Sequence, residues 1–415
     1  MAQSPELQKM LTLSSTVDVC YVTSTNTTRA KEDVVCNTRF QSAFPSLELG
    51  VSGITFNIAN KSLVGQGIVY MELPELADNI YLPRGWGYGI IDRLEWSIGG
   101  SSIFSQSGES MIATVMTQCE TSEKRDSLLR LAGDEVTGPG QGSNSAFIHI
   151  PLPYSTIRYL GRKLPYDSSL VNTNLRVILY LKQGSQIFSG SGVANAPTSL
   201  SRGFFQLRQF DFKDQSQSIK GEMIRDPSLY YSYPFFYGQS YPSPAFIGSV
   251  DRGAPCTINL VGFRAGNLQS ITLQLKEIES GPETIKNLNQ YEHMTNLELS
   301  WNGNTIIRSD EGAEGIWCLE SGLTDCSFPN SVVPTSNLSA PFTSYPVKSH
   351  MPQLVLSQFN PVSQGNLLQS GYNVGSQTLV LSFNTPKNAQ AYRLFCTYNY
   401  LATALTKESN CEITF

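Results

Sequence analysis

Apolar and polar residues alternate along most of the chain from about residue 47 onwards, and this pattern predicts an all-β protein. Side chains in a strand point alternately to two faces, so a strand with one buried face alternates with a period of two. Turns containing Gly or Pro separate the alternating segments, as is typical of many short strands. The segments are residues 47–51, 54–58, 67–73, 90–93, 147–154, 175–181, 204–212, 256–261, 270–276, 379–383 and 391–398.

One part of this pattern occurs twice, in residues 94–106 and again in residues 297–309. Each copy is an alternating strand, a tight turn that contains Gly, and a short returning strand. A second pair of segments, 174–181 and 377–383, is related at nearly the same spacing. Chance similarity between two hairpins is the alternative, but two segments at one spacing favour a duplicated domain, since solenoid repeats are only about 20–50 residues long. Identical residues in the two hairpins are Leu94/Leu297, Glu95/Glu298, Ser97/Ser300, Gly100/Gly303 and Ile103/Ile306.

After the first hairpin the apolar period changes from two to about 3.6, which predicts a helical insertion. Ser107 is placed to cap the first helix, and a second helix is expected to begin at Thr121 and to end at Gly133. The residues expected on the buried faces are Met111, Ile112, Val115, Met116 and Cys119 in the first helix and Leu128, Leu129 and Leu131 in the second.

The chain is expected to divide into three parts. Residues 1–45 are polar, and Ser4-Pro5-Glu6 is a good helix start, so we expect an arm with one short helix that either docks on a neighbour or forms a partly disordered tail. A Gly-, Ser-, Ala- and Pro-rich stretch over residues 184–201 precedes the expected domain boundary. The predicted domains are therefore residues 46–202 and 203–415.

Composition fits short strands and argues against several functional classes. Charged residues make up only 15% of the chain, whereas Gly (33), Phe (20) and Tyr (19) are plentiful. Proteins that bind phosphates directly usually carry a basic face, and a net charge of −5 does not favour one, so direct sequence-specific binding of nucleic acid is not expected. The sequence contains no apolar run of about 18 residues, so a transmembrane helix is not expected. It also lacks the basic segment and the apolar segment that characterise a signal peptide, so a signal peptide is not expected.

Without a predicted leader, the cysteines are expected to be buried free thiols rather than disulfides. Asn26, Asn60 and Asn337 lie in glycosylation sequons, which are expected to be chance matches for the same reason. No two of the cysteines form a CxxC pair. The eight cysteines are Cys20, Cys36, Cys119, Cys256, Cys318, Cys326, Cys396 and Cys411.

The sequence predicts no catalytic residue, no cofactor-binding residue and no metal ligand. His149, His293 and His350 are isolated in sequence, so a transition-metal site is not expected. Glu95 and Glu298 resemble a glycosidase carboxylate pair, but they occupy the same place in two repeats and are expected to lie in different domains. The Gly-rich segment 138–142 has no following helix to hold a phosphate. The chain is therefore not expected to be an enzyme.

The order of these elements resembles the double jelly-roll major capsid proteins of nucleocytoplasmic large DNA viruses, virophages and polinton-like viruses. The resemblance rests on residues 91–103 with their Ile-Gly-Gly turn, the following Gly108-Glu109 and helix, and Leu131-Ala132-Gly133. It also rests on the prolines of the segments 150–154 and 164–165 before the strand at 175–181. A residue such as Met111 stands where the family commonly has Trp, so the match is partial.

The resemblance implies two tandem eight-stranded antiparallel jelly-roll barrels with short helices in insertions between strands. It also implies a homotrimer with a pseudo-hexagonal outline, which contacts neighbouring trimers and tiles an icosahedral shell around a double-stranded DNA genome. Minor capsid proteins, penton proteins and an inner membrane reached by the N-terminal arm are the further implied partners. The implied location is the virion, assembled inside the host cell and not secreted.

A carbohydrate-binding module is the alternative function. Residues 230–246 are crowded with aromatic residues and prolines, and such a run is able to stack sugars in a lectin-like two-domain β-sandwich. The same run is also suited to fill the base of a barrel or a subunit interface, which we favour.

Overall fold

A computed structural model of the chain describes residues 34–35, 39–44, 48–50, 53–58, 63–98, 101–112, 122–136, 138–142, 144–150, 166–167, 175–212, 231–248, 255–278, 292–310, 353–355, 372–375, 378–386, 390–407 and 410–414. Strands dominate these residues, as the alternation predicts, and the helices are short. None of the helices in the described ranges is long and apolar enough to span a bilayer.

Ten strands precede residue 213 and eleven follow it in the described ranges. The first ten are β1 (Val34–Val35), β2 (Arg39–Phe44), β3 (Ile54–Ile58), β4 (Leu63–Glu72), β5 (Ile91–Ile98), β6 (Ser101–Gln106), β7 (Ser145–Ile150), β8 (Tyr166–Asp167), β9 (Leu175–Leu181) and β10 (Arg202–Phe212). The others are β11 (Tyr231–Pro242), β12 (Phe246–Ile247), β13 (Cys256–Leu260), β14 (Gly266–Glu277), β15 (Thr295–Trp301), β16 (Asn304–Ser309), β17 (Gln353–Val355), β18 (Tyr372–Val374), β19 (Leu379–Asn384), β20 (Ala391–Lys407) and β21 (Asn410–Thr414).

The helices in the described ranges lie in connections of the first half. They are α1 (Trp86–Ile90), α2 (Ser122–Leu131), α3 (Gly184–Ile187) and a 3₁₀ turn at Val193–Asn195. Residues 108–112 are also helical, up to the end of that described range.

The main strands of the first half form two antiparallel four-stranded arrangements. One has the order β2-β10-β4-β7 and the other the order β3-β9-β5-β6. The second half repeats both orders, as β11-β20-β14-β17 and β13-β19-β15-β16. Two such sheets per half, with first and last strands as neighbours, are the jelly-roll arrangement. The predicted fold class is confirmed.

The duplicated hairpin is conserved to the level of strand register. In the first half Leu94 lies opposite Gln106, and the pairing shifts between Trp96 and Ser97. In the second half Leu297 lies opposite Ser309, and the pairing shifts between Leu299 and Ser300. Every paired position in one hairpin corresponds to a paired position 203 residues later. A shared bulge is a specific backbone feature, so the sequence repeat reflects a structural duplication.

Most predicted strands are present, with shifted ends. The strand at 175–181 is confirmed as β9, and the strand at 204–212 as β10, which begins at Arg202. Residues 47–51 do not form a strand in the described residues, where Glu48 makes an isolated bridge to Ser199. Ile90 ends α1 instead of beginning the strand that follows.

The strand β10 belongs to the first half by its pairing, because it is bonded to both β2 and β4. The expected boundary after residue 202 therefore falls inside the first sheet arrangement. Part of the expected N-terminal arm also lies in this arrangement, since β1 and β2 both pair with β10. In a jelly roll the first and last strands are neighbours, and alternation alone does not reveal that pairing.

A continuous cluster of buried apolar side chains runs through both halves. Leu94 and Leu297, which are equivalent in the repeat, are both fully buried in it. In the helical insertion Leu129 is buried as predicted, but the prediction for Leu131 is wrong, since 54% of that residue is exposed. Leu131 lies two residues after the buried Leu129 and therefore on nearly the opposite side of α2.

The helix α1 was not predicted, and every residue of it is buried. Gly133 follows α2 with a φ of 105°, as expected for a glycine at a helix C-terminus. A Cβ atom at this position would overlap the indole of Trp86, so the glycine also allows α1 to pack against the end of α2. The amide of Gly87 in α1 donates to the carbonyl of Ala132 at 2.9 Å.

Candidate functional site at the junction of the two halves

The two halves are joined edge to edge into one sheet. Strand β11 of the second half runs parallel to β6 of the first half, with Gln239 opposite Ser105. In the resulting 11-stranded sheet, eight strands follow the order β17-β14-β20-β11-β6-β5-β9-β3. The other three lie beside this path: β12 and β21 pair with β20, and β18 pairs with β14. The hydroxyls of Ser107 and Ser240 lie 2.9 Å apart beside this contact. The junction therefore combines backbone pairing with side-chain hydrogen bonding.

The helical segment 108–112 begins where β6 ends and faces the second half. Ser107 caps it, because the amide of Ser110 donates to the Ser107 hydroxyl at 3.1 Å, and this confirms the predicted cap. A Cβ atom on Gly108 would overlap the carbonyl oxygen of Tyr88, so only glycine allows the segment to start against α1. The segment is thus fixed in direction before it reaches the second half.

Glu109 connects the halves through a buried ion pair. Its Oε2 accepts a hydrogen bond from Nζ of Lys276 at 2.7 Å, and its Oε1 lies 3.7 Å from Nζ of Lys182. The side chains of Glu109 and Lys276 are only 7% and 13% exposed. A short, charge-assisted bond between two desolvated groups is costly to break, because removal of one partner leaves the other as a largely buried charge without this bond.

Two further contacts hold the segment on the outer face of the second half's sheet. The side-chain amide of Gln274 on β14 donates to the backbone carbonyl of Glu109 at 3.1 Å. The hydroxyl of Thr397 on β20 donates to the hydroxyl of Ser110 at 3.0 Å. Gln274 and Thr397 are buried, although their side chains point away from the apolar core of the second half. The first half therefore covers this face.

A cleft of about 550 Å³ opens beside the ion pair, between the two halves. Its charged lining residues are mixed in sign: Arg93, Lys182, Lys276 and Arg393 face Asp92, Glu109 and Glu277. The guanidinium of Arg93 lies 4.3 Å from the ring centre of Tyr180. The described residues contain no group of three or more side chains suited to hold a metal ion. The arrangement is suited to fix one half against the other.

The two candidate carboxylates lie at equivalent positions in different sheets. Glu95 on β5 lies 3.7 Å from Nε of Arg93 on the same strand. Glu298 on β15 accepts a 2.6 Å hydrogen bond from the hydroxyl of Thr305 on β16. Each carboxylate thus has a partner within its own half, and the two carboxylates lie in different halves, as the repeat predicts.

Of the histidines and cysteines, only some lie in the described residues. His149 lies on β7, and His293 precedes β15, whereas His350 lies outside the described residues. Cys256 and Cys396 are free thiols, and Cys396 is buried as expected, whereas Cys256 is only partly buried. Burial raises the pKa of the Cys396 thiol from 9.0 to about 12. The three sequon asparagines and the side chains of the other six cysteines also lie outside the described residues.

The aromatic run at 230–246 corresponds largely to β11, the strand that joins the halves. Its backbone pairs with β20 from Tyr231 to Pro242 and with β6 on the other side. Tyr241 lines the cleft. The run therefore lies at the contact between the halves. The pairing of Glu109 with Lys276 has no signal in the local sequence, because the two residues are 167 positions apart.

Comparison with known proteins gives matches by structure and none by sequence: no family model and no curated protein matches the chain. A quasi-atomic model of the PBCV-1 virus capsid has a TM-score of 0.60 and 11% identity, over 91% of this chain and 97% of that one. A chain of the Sputnik virophage has a TM-score of 0.55 and 12% identity, over 91% and 88%. The Faustovirus major capsid protein has a TM-score of 0.57 and 8% identity, over 97% of both chains.

These similar structures are double jelly-roll capsid proteins. The chain has the double jelly-roll fold. The similarity extends across both halves of this chain and is not confined to one jelly roll. At such low identity the similarity concerns the fold, and the residues of the junction are those of this chain.

Proposed function

We propose that this double jelly roll is a viral major capsid protein, which assembles with copies of itself into the shell of a virion. The observation that carries the proposal is the duplication. Each half has the same two strand orders and the same hairpin register, and a buried ion pair locks the halves side by side. A chain built in this way supplies two equivalent building blocks at a fixed relative position.

Geometry connects this duplication to a shell. Three copies around a threefold axis would present six equivalent blocks, which gives a nearly hexagonal outline that tiles a surface. Homo-oligomers with closed rotational symmetry are the common form of assembly, and head-to-tail contacts that close make rings. The low content of charged residues, 15%, suits permanent interfaces whose centres are depleted of charge.

Similar structures support the same function. The PBCV-1 structure is of a virus capsid, the Sputnik structure is of a virophage, and the Faustovirus structure is of a major capsid protein. We extend the proposal to an icosahedral shell around double-stranded DNA, with contacts to neighbouring trimers, minor capsid proteins and penton proteins. The protein would act in the virion after assembly inside the host cell, without a catalytic activity of its own.

We also propose the domain division that follows from strand pairing. The first jelly roll would extend to Phe212, because β10 pairs with β2 and β4. The second jelly roll would begin after it. The N-terminal arm would comprise residues 1–33, since β1 begins at Val34, and it would lie on the inner side of the shell near minor proteins or a membrane.

The solution mass of the purified chain tests this proposal. Light scattering at micromolar concentration should give three times the chain mass of 45.7 kDa. A strictly monomeric protein would contradict the proposal, and binding to a glycan array would then become the next measurement, since a two-domain carbohydrate-binding module needs no trimer.

A further inference from the structure

The outer face of the first half carries three aromatic side chains in a row. Phe204 on β10 lies opposite Tyr70 on β4, and Tyr70 lies opposite Phe147 on β7. The ring centres of Tyr70 and Phe204 are 4.9 Å apart, and those of Tyr70 and Phe147 are 4.7 Å apart. We call Phe204, Tyr70 and Phe147 the aromatic ladder.

The ladder points away from the core of its own half. Its strand neighbours Val69, Phe205 and Ile148 are fully buried, and successive side chains in a strand point to opposite faces. Phe147 is 40% exposed, one of few large apolar side chains in the described residues with such exposure. Aromatic residues at the exposed face of a sheet are typical of protein interfaces.

The equivalent face of the second half is already covered within the chain. Strands β20 and β14 occupy the places that β10 and β4 occupy in the first half. Their outward residues Gln274 and Thr397 are 0% and 3% exposed, because the segment 108–112 of the first half lies on them. The first half thus shows how one jelly roll covers the outer face of the next.

The duplication gives each chain one edge strand equivalent to β6 and one edge strand equivalent to β11, the two strands that pair at the junction. Strand β16 occupies in the second half the place of β6 in the first, and among the described strands it pairs only with β15. Strand β2 occupies in the first half the place of β11, which pairs with β6 at the junction. A junction of the same kind between two chains would therefore place β16 of one chain beside β2 of the other.

We propose that the aromatic ladder is the centre of an interface with a second copy of this chain, whose second half covers it in the way that segment 108–112 covers β14 and β20. This proposal deepens the proposed function, on which it rests, by naming the two surfaces that meet. The contact is head-to-tail, so its repetition closes a ring or continues as an open chain of copies. Buried aromatic residues at the centre of an interface commonly contribute most of its binding energy.

A substitution at the exposed end of the ladder tests this interface. Phe147→Asp places a charge on it and leaves the core of the first half intact. Oligomer mass is measured by light scattering over a dilution series, with folding checked by circular dichroism. We expect Phe147→Asp to raise the concentration of half-dissociation at least about tenfold, as for an interface hot spot. Phe147→Tyr should retain the wild-type mass, because it keeps the ring.

The matched control is Leu131→Asp, since Leu131 is also a large apolar residue and is 54% exposed, but lies on α2. It should leave the oligomer unchanged. An unchanged dissociation concentration for Phe147→Asp, in a wild type that is trimeric, would overturn the ladder interface and leave the proposed function standing. A wild type that is monomeric would overturn both.

A cross-linking experiment settles the partner even if Phe147→Asp fails to fold. Benzoylphenylalanine replaces Phe147 in oligomers that contain isotopically light and heavy chains. Mass spectrometry should find mixed-isotope cross-links from position 147 to peptides of the second half. Cross-links confined to one chain, or directed to the first half of another copy, would overturn the proposal.

Discussion

Nζ of Lys276 in the second jelly roll donates a 2.7 Å hydrogen bond to Oε2 of Glu109 in the first. Glu109 follows Gly108, which is packed against the backbone of α1, so the first jelly roll fixes where the segment that carries this carboxylate begins. Lys276 is set by the register of β14 on β20, in the second. This bond therefore forms only when the two jelly rolls lie in the correct position relative to each other.

Removal of the Glu109 carboxylate should destabilise the protein strongly. Glu109→Ala leaves Lys276 as a largely buried charge without its 2.7 Å partner, and breaking a buried pair in this way costs about 3–5 kcal/mol. The matched control is Glu95→Ala, since the Glu95–Arg93 pair is longer, at 3.7 Å, and its arginine is 48% exposed. That change should cost below about 1 kcal/mol. Guanidinium unfolding at one fixed protein concentration measures both, and equal losses would contradict the role of the ion pair.

Gly108 should not tolerate a side chain. A Cβ atom there would overlap the carbonyl of Tyr88, and the surrounding backbone is buried, so Gly108→Ala should lower the free energy of unfolding by more than about 3 kcal/mol. Gly184→Ala is the control, because the nearest atom to its Cβ would be the carbonyl oxygen of Pro197 at 3.7 Å. Thermal unfolding compares the two variants. Similar melting temperatures for both would show that segment 108–112 does not pack as described.

The two jelly rolls should unfold together. Leu94→Ala and Leu297→Ala remove equivalent, fully buried side chains from the two halves, and each should cost about 2–5 kcal/mol. Because the 11-stranded sheet and the buried ion pair join the halves, both variants should move one common transition. Calorimetry at constant protein concentration checks this, with the exposed Leu131→Ala as a control. Two transitions, with each variant shifting only one of them, would contradict the coupling.

Stability should fall at alkaline pH. Burial raises the pKa of the Cys396 thiol to about 12, and burial together with the charge of Glu135 raises the pKa of Tyr81 to about 12. In the unfolded chain these groups lose their protons near 9.0 and 10.0, so unfolding releases protons between these values and about 12. Their contribution to stability is therefore complete below about pH 9 and is lost as the pH rises towards 12.

Unfolding free energies measured from pH 8 to 12 test this sign, and Cys396→Ala should give a shallower fall than the wild type. Thiol alkylation followed by peptide mapping provides an independent check, since Cys396 should react at pH 8 only after unfolding. Rapid alkylation of Cys396 in the native protein would contradict its burial.

The parts of the fold that sequence predicted are those with a local pattern. The strand at 175–181 is predicted by its alternation, the cap at Ser107 by its position before a helical period, and the paired hairpins by their repeated residues. Each depends on residues within one element, or on a direct comparison of two stretches of sequence.

The parts that sequence did not predict depend on which elements meet. Strand β10 alternates like any jelly-roll strand, and only its pairing with β2 and β4 assigns it to the first half. The helix α1 contains two glycines and is stabilised by burial rather than by helix propensity. The Glu109–Lys276 pair joins two elements that are far apart in sequence, and neither residue differs locally from an ordinary surface charge.

Image averages of the purified oligomer by electron microscopy test the central claim most directly. Two equivalent jelly rolls in each of three chains should give particles with six similar lobes around a threefold axis and a hexagonal outline. Particles with two lobes, or oligomers without threefold symmetry, would contradict the assignment of this double jelly roll as a major capsid protein.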